Sequence, residues 1–180
     1  IPSDDEASWL ACALVASDYK VIGVLHSDDK EGAYIKLVQK YGSFFSGIVC
    51  VSERITKRIL KIIPLIESTT IPCGVMIHKV QRQKKLPRIV FIARLDNLVK
   101  RVSDLVPIFL LVQKNIPNAQ LEIWGHGDYS EQLTKEIKHA GLENCVFLRG
   151  WGSQDEIYQS LNQSKILLQT SNFEGMSIAV

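Results

Sequence analysis

The sequence has few cysteines, no long apolar run and no C-x-x-C pair. Cys12, Cys50, Cys73 and Cys145 lie tens of residues apart. This spacing predicts reduced core thiols of a cytoplasmic protein, and the composition is far from that of a disulfide scaffold. The longest uncharged apolar run, Trp9 to Ala16, is far shorter than the ~20 residues that a membrane span requires. We therefore expect a soluble protein.

The positive and negative charges of the chain are nearly balanced, which argues against nucleic acid as a partner. The chain has 21 Lys and Arg against 19 Asp and Glu, a net charge of +2. This balance gives no global reason to expect nucleic acid, so an anion site would have to be local. At 180 residues, of which 46% are hydrophobic, the chain is long enough for one sizeable core or two small ones.

The second half of the sequence alternates apolar runs with helical patterns. The predicted strands are Arg88 to Ala93, Gln120 to Trp124, Cys145 to Leu148 and Lys165 to Thr170. The predicted helices are Ser103 to Asn115, Ser130 to Ala140 with Gly141 as the stop, and Ser153 to Asn162 with a capping box. Strands alternating with helices of this length favour parallel pairing in a doubly wound, Rossmann-like α/β domain.

The first half shows the same alternation of predicted strands and helices, with shorter elements. Its predicted strands are Lys20 to Leu25, Gly47 to Val51 and Thr69 to Ile71, and its predicted helices are 6–16, 31–41 and one capped by Ser52 that runs to Ile63. The basic segment Lys79 to Arg88 contains a proline and resembles a linker. We therefore predict an acceptor-side half at 1–80, a linker at 81–87 and a second half at 88–180. The two halves are expected to face each other across a cleft.

The unusual residues of the second half follow its strands. The four segments are Arg94 to Arg101, Gly125 to Asp128, Arg149 to Gly152 and Ser171 to Gly175. Ligands bind outside the carboxyl ends of parallel strands, so these loops predict one site for a phosphate-bearing ligand. Each loop also has an ordinary interpretation: solvated charges, a plain turn, or a carboxylate at a helix N-terminus.

In order and spacing, these loops resemble the nucleotide-binding half of the retaining GT-B glycosyltransferases of the "glycosyl transferases group 1" type. The matching segments are Ala93-Arg-Leu-Asp96 with Lys100, Leu121-Glu-Ile-Trp-Gly-His-Gly127, Val146-Phe-Leu-Arg-Gly150 and Ser171-Asn-Phe-Glu-Gly175. In the first half, His26, Val49 to Glu53 and Ile71 to Val75 match more weakly. The sequence departs from the family where Ala93 replaces Gly and Cys73 replaces Asn. A second family glutamate would fall at position 182, and both ends of the chain are expected to be cut.

The resemblance implies a hexosyltransferase that uses a nucleotide-sugar donor and a glycan or lipid-linked acceptor, with retention of anomeric configuration. Glu174, His26, Lys100 and Arg94 are then the catalytic candidates. Glu174 would bind the 3-hydroxyl of the donor sugar, and His26 would bind the reacting sugar. The residues expected to contact the donor are Arg94, Lys100, Gly125, Gly127, Gly150, Trp151, Glu174, Gly175, Met176 and Ser177.

The residues also predict chemistry without a metal or a bound cofactor. Loss of a nucleoside diphosphate leaves negative charge on the β-phosphate, which needs preorganised positive charge. The sequence has no D-x-D pair to hold a cation, and Arg94 with Lys100 would supply the charge instead.

The helix after Ser52 carries a basic stripe of Arg54, Lys57, Arg58 and Lys61. A solvated helix face is one interpretation. The other is peripheral contact with anionic lipid at the inner face of the membrane. For the whole chain, the open alternatives are an NAD-dependent Rossmann oxidoreductase, a nucleotide-sugar epimerase and a non-catalytic nucleotide-sugar-binding homologue.

Overall fold

The computed structural model describes residues 5–27, 33–75 and 83–179, and their contacts form two compact units. The first unit comprises Ile1–Met76 and Phe173–Ile178, and the second comprises Ile77–Asn172 and Ala179–Val180. The first unit contains α1 (Glu6–Leu14), β1 (Ile22–Leu25), α2 (Ala33–Tyr41), β2 (Gly47–Cys50), α3 (Glu53–Ile62) and β3 (Ser68–Thr70).

The three strands of the first unit form a parallel sheet in the order β1-β2-β3. Its core contains Trp9 of α1, which stacks on Phe45 with ring centroids 5.0 Å apart. Ile55 and Ile59 bury the inner face of α3 against the same core. Because parallel strands end at one edge, the segments after β1, β2 and β3 share one rim.

The second unit contains β4 (Arg88–Ile92), α4 (Leu105–Asn115), β5 (Gln120–Trp124), α5 (Ser130–His139), β6 (Val146–Gly150), α6 (Gln154–Gln163) and β7 (Ile166–Leu168). Its four strands are all parallel, in the order β6-β5-β4-β7. The parallel α/β architecture expected from the sequence is therefore confirmed for both sheets, and the second sheet also has the strand-order reversal of a doubly wound domain.

Side chains alternate across the second sheet and so divide its two faces. Leu121 and Ile123 of β5 belong to the buried apolar core that α4 and α5 cover, where Phe109 and Leu133 are also buried. Glu122, on the intervening position, bonds instead to a residue of α6. Helices therefore cover both faces of the sheet.

One predicted helix cap is wrong, and a second is confirmed in position but lacks the capping bond. Ser103 lies inside a short 3₁₀ turn at Val102–Asp104, and α4 begins at Leu105 with no side-chain cap. Ser103 instead donates its backbone N–H to Asn97. Ser52 occupies the N-cap position of α3, but its hydroxyl makes no capping bond. The Ser153 capping box and the left-handed Gly141 stop are both confirmed.

Strand bounds differ from the predictions by a few residues. β6 extends to Gly150 and so includes Arg149, whereas β7 ends at Leu168. Of the predicted linker, residues 81 and 82 lie outside the described residues, and 83–86 form neither helix nor strand. The described part of the chain has no helix long and apolar enough to cross a bilayer. All four cysteines are free thiols, and of these only Cys50 is fully buried.

Candidate functional site

The loop after β4 carries Arg94 and Lys100 and lies against the loop after β5. The N–H of Leu95 donates to the carbonyl of His126 at 3.1 Å, and the N–H of Tyr129 donates back to Leu95 at 2.9 Å. On its other side the β5 loop joins the end of β6, because the N–H of Gly125 donates to Gly150 at 2.8 Å. Three predicted ligand loops therefore form one hydrogen-bonded edge.

Gly125 and Gly127 are the points of closest approach along this edge. A Cβ on Gly125 would lie 1.9 Å from the carbonyl oxygen of Ala93, and the backbone φ of Gly125 is +129°. A Cβ on Gly127 would lie 2.4 Å from the carbonyl oxygen of Leu95. The G-x-G pattern thus has a packing reason: it seats the Arg94 loop directly on the β5 loop. Whether these glycines also contact a ligand remains a prediction.

Asp96 organises the turn between Arg94 and Lys100. Its carboxylate accepts from Nε of Arg94 at 3.0 Å and from the backbone N–H groups of Val99 at 2.7 Å and Lys100 at 3.3 Å. Burial raises the pKa of Asp96, but these hydrogen bonds and the Arg94 charge outweigh it and leave the pKa below its ordinary value. The carboxylate is therefore ionised at neutral pH and fixes both cation-bearing positions.

The same loop is braced from the segment after β7. The hydroxyl of Thr170 donates to the carbonyl of Lys100 at 2.5 Å. Asn172 donates its backbone N–H to Val99 and its side-chain amide to Leu98, both at 2.8 Å. The Lys100 backbone is thus held on two sides, which fixes the point on the loop from which its side chain extends.

The loop after β6 presents Trp151 to solvent, with 78% of this residue exposed. Gly150 has a left-handed φ of +68°. Gly152 packs flat on Trp124, since a Cβ there would come within 2.4 Å of the indole ring. The loop is therefore anchored through its backbone while its one aromatic ring faces outward.

The remaining site candidates lie on the rim of the first unit. The backbone at Gly175 packs on His26, where a Cβ would lie 1.9 Å from the His26 carbonyl oxygen. Arg54, at the start of α3, donates to the carbonyl of Glu174 at 3.2 Å. The N–H of Cys73 contacts Sδ of Met176 at 3.2 Å. One contact comes from the end of each strand of this sheet, so the segment Glu174–Met176 lies across the whole rim.

The structure thus groups the predicted residues into two sets. His26 and the segment 174–177 belong to the first unit, and Arg94, Lys100, Gly125, Gly127, Gly150 and Trp151 belong to the second. Residues 171–179 contain only bends and a turn, so Gly175 to Ser177 do not open a helix within the described residues. Helix-terminal N–H groups are not available there.

Sequence reasoning missed Asp96, Thr170 and Glu122 as parts of this architecture. Asp96 is the last residue of the matching segment Ala93–Asp96, but the sequence predicted no role for it. Glu122 gave a clear signal, an acid inside the apolar strand 121–124, because a carboxylate there must be paired once it is buried. Among the described residues, no group of three or more acidic, His or Cys side chains is arranged to hold a metal ion.

Two curated relatives resemble the chain in sequence. The poly(glycerol-phosphate) alpha-glucosyltransferase of Bacillus subtilis (strain 168) is 36% identical over 90 residues, which cover 50% of this chain and 13% of that protein. The poly(ribitol-phosphate) alpha-N-acetylglucosaminyltransferase of Staphylococcus aureus (strain COL) is 27% identical over 173 residues, covering 92% of this chain and 34% of that protein. The chain thus spans about a third or less of their length.

Solved glycosyltransferases share the fold. A TarM variant of S. aureus, in a complex with fondaparinux, alpha-GlcNAc-glycerol and UDP, superposes with a TM-score of 0.77 at 23% identity, covering 89% of this chain and 34% of that one. The pneumococcal O-GlcNAc transferase GtfA, in complex with UDP and GlcNAc, gives a TM-score of 0.81 at 16% identity, with coverages of 94% and 36%. The family model for glycosyl transferases group 1 matches residues 76–180, more than half of the chain. The chain therefore belongs to the glycosyl transferases group 1 family and has the GT-B type of fold.

Proposed function

We propose that the protein transfers a hexosyl group from a nucleoside-diphosphate sugar to a glycan or lipid-linked acceptor, with retention of anomeric configuration. The observation that carries this proposal is the braced loop from Arg94 to Lys100 at the carboxyl edge of the second sheet. Asp96 and Thr170 fix two cation-bearing residues on one short segment. A diphosphate is the ligand that such a pair recognises best.

Arg94 and Lys100 would act on the leaving group. As the bond from the anomeric carbon to the β-phosphate oxygen breaks, negative charge grows on that oxygen. Nε of Arg94 is engaged by Asp96, while its terminal nitrogens make no hydrogen bond among the described residues. Those nitrogens form a planar fork suited to two phosphate oxygens, and Lys100 adds a point charge.

Glu174 and His26 would bind the donor sugar. They belong to the same unit, and the Gly175 backbone packs directly on His26. A carboxylate stabilises an oxocarbenium-like centre electrostatically or accepts a bond from a sugar hydroxyl. Glu174→Gln separates these roles, because it preserves hydrogen bonding but removes charge. Gly150 and Trp151 would meet the nucleoside, for which an exposed indole offers a stacking surface.

The reaction is proposed to need no metal ion, since side chains supply the positive charge. Transfer by the intact protein should persist in EDTA, with at most a modest stimulation by divalent ions. An absolute requirement for a divalent metal would contradict this part of the proposal.

The names of the two curated relatives make a polyol-phosphate chain the first acceptor to test. The intact protein should be titrated with UDP, GDP, ADP and NAD, then assayed with the sugars of the nucleotide that binds. Saturation by one nucleoside diphosphate and transfer to an acceptor are expected. Binding of NAD alone would favour an oxidoreductase, and nucleotide-sugar binding without transfer or hydrolysis would favour a non-catalytic homologue.

We also propose that α3 contacts anionic lipid at the cytoplasmic face of the membrane. Arg54, Lys57 and Lys61 are exposed on the side of the helix opposite Ile55 and Ile59. Basic residues near an anionic surface contribute about 1 kcal/mol each. Co-sedimentation of the intact protein with phosphatidylglycerol vesicles, but not with phosphatidylcholine vesicles, is expected. Equal sedimentation with both would contradict the electrostatic contact.

A further inference from the structure

A buried carboxylate in the second unit has no part in the chemistry proposed so far. Glu122 lies in the middle of β5 and is only 3% exposed. Its Oε1 contacts Nη2 of Arg149 at 2.8 Å and Nη1 of Arg88 at 3.1 Å. Its Oε2 accepts from the hydroxyl of Ser160 at 2.6 Å. Both oxygens of a buried charge are thus satisfied, as an ionised carboxylate inside a protein requires.

The partners of Glu122 converge on the loop after β6. Arg149 is the last residue before Gly150. On the other side, the Ser160 hydroxyl also accepts from Nε1 of Trp124 at 3.2 Å. The indole of Trp124 is the surface on which Gly152 packs. Glu122 is therefore linked to both ends of the four-residue segment Arg149–Gly152, through a guanidinium at one end and through Ser160 and Trp124 at the other.

The negative charge of Glu122 holds two arginines close together, so the position of Arg149 depends on it. Arg88 and Arg149 approach the same oxygen atom, so they would repel each other if the carboxylate were lost. Arg88 has 14% of its side chain exposed, but Arg149 has 43% exposed and has room to move toward solvent. The network also borders an open cavity of about 450 Å³ that Trp124 and Trp151 help to line. Loss of the carboxylate would shift β6 at the position where the loop begins.

We propose that Glu122 is a positioning residue for the nucleoside part of the donor, acting through Arg149 and Trp124 on the loop that carries Gly150 and Trp151. This inference rests on the proposed function, because it needs a nucleotide at that loop. It assigns Glu122 no contact with substrate. Its effect should be confined to recognition of the nucleoside and should spare the diphosphate, which the separate Arg94 loop binds.

The test compares two diphosphates, of which only one carries a nucleoside. Dissociation constants of UDP and of inorganic pyrophosphate are measured by calorimetry on the intact protein and on its Glu122→Gln variant. We expect the Kd of UDP to rise about tenfold, which corresponds to about 1.4 kcal/mol. The Kd of pyrophosphate should stay unchanged. A rise of equal size for both ligands, or no rise for either, would overturn the proposal.

A second variant and a stability control keep the outcome decisive if Glu122→Gln does not fold. Ser160→Ala removes the bridge to Trp124 without breaking an ion pair, and it should also weaken UDP selectively, by a smaller factor. Phe109→Leu perturbs the buried core on the opposite face of the sheet. If Phe109→Leu lowers Tm as much as Ser160→Ala and weakens UDP equally, Glu122 and Ser160 are merely structural. If the unsubstituted protein binds none of UDP, GDP and ADP, the proposed function itself fails.

Discussion

A Cβ on Gly125 would lie 1.9 Å from the carbonyl oxygen of Ala93, closer than any real Cβ contact. The two residues follow neighbouring strands, β5 and β4, which pair in parallel up to Trp124 and Ile92. The same closeness allows Ala93 to donate its N–H to Trp124 at 3.1 Å. Any side chain at Gly125 would therefore separate the two loops.

Gly125→Ala should destabilise the second unit and weaken nucleotide binding together. The new methyl group meets backbone atoms, which cannot rotate away, and the φ of +129° is unfavourable for alanine. Overpacking of this kind costs about 1–3 kcal/mol or more, so a Tm lower by several degrees is expected in thermal unfolding. Gly74→Ala is the control, because a Cβ there meets nothing within 4 Å. Equal Tm values for the two variants would contradict the close-packing interpretation.

Asp96→Asn should loosen the Arg94 loop, although the size of the side chain at position 96 stays the same. The amide is isosteric with the carboxylate but loses the charge that holds Nε of Arg94. We expect the Kd for a nucleoside diphosphate to rise about three- to tenfold, the range given by losing one charge-assisted hydrogen bond that is partly exposed. Asp155→Asn on the exposed start of α6 is the matched control. An unchanged Kd in Asp96→Asn would show that the loop is held by Thr170 and Asn172 alone.

The depressed pKa of Asp96 also predicts a pH dependence. A carboxyl group whose pKa is lower in the folded state stabilises the fold above its unfolded pKa, and that contribution is lost as pH falls through the folded pKa. The ordinary pKa of this group is 3.8. Unfolding free energy should therefore fall less steeply below about pH 4 in Asp96→Asn than in the unsubstituted protein, as measured by urea denaturation. Parallel pH profiles would contradict the depressed pKa.

The sequence predicted the parallel sheets because their signals are local. Apolar runs such as 88–92, the Ser153 capping box and the Gly141 stop each follow from a few adjacent residues. Ser103 does not cap α4 because it lies inside the turn Val102–Asp104, and Ser52 occupies the N-cap position of α3 without making a capping bond. Asn97 accepts the Ser103 N–H, and the Ser52 hydroxyl is buried without a partner among the described residues.

The candidate site was predictable only in part for the same reason. Its loops could be located because they follow strands, and their shared edge follows from parallel pairing. The contacts that fix them could not, since Thr170 reaches Lys100 across 70 positions and Arg54 reaches Glu174 across 120. Such pairings depend on the packed fold, and a single sequence contains no local pattern for them.

Arg54 and Lys57 should differ in function although both belong to the basic stripe of α3. Arg54 donates to the carbonyl of Glu174, whereas Lys57 pairs with Glu53 on the exposed helix surface at 3.4 Å. Arg54→Ala should lower transfer to a water-soluble acceptor severalfold, because the Glu174 segment loses one of its anchors. Lys57→Ala should leave that activity unchanged and weaken only vesicle binding. Equal activity in the two variants would show that the contact from Arg54 to Glu174 does not support transfer.

Lys100→Ala should reduce kcat strongly and leave the fold intact. Under the proposed function, the substitution removes a positive charge that stabilises the growing oxyanion. The Thr170 bond to residue 100 involves only the backbone carbonyl, which alanine keeps. The expected loss is about 10²-fold in kcat, by analogy with removal of one oxyanion donor. Tm should change little, since Lys100 is not a core residue. Lys114→Ala is the matched control, because it removes a positive charge from the exposed last turn of α4. This control variant should leave transfer unchanged.

Arg94→Lys tests the proposed diphosphate site by changing the geometry of a cation instead of removing its charge. Lysine keeps the positive charge but has one nitrogen, so it cannot bond Asp96 through one nitrogen and present a planar fork through two others. We expect a loss of transfer of at least tenfold, with a smaller change in Tm than Gly125→Ala produces. Lys100→Ala and Arg94→Lys must be assayed in the intact protein with the donor that it binds. Near-normal turnover in both variants would show that the leaving diphosphate is stabilised elsewhere, and the braced loop would then be a structural feature of the second sheet alone.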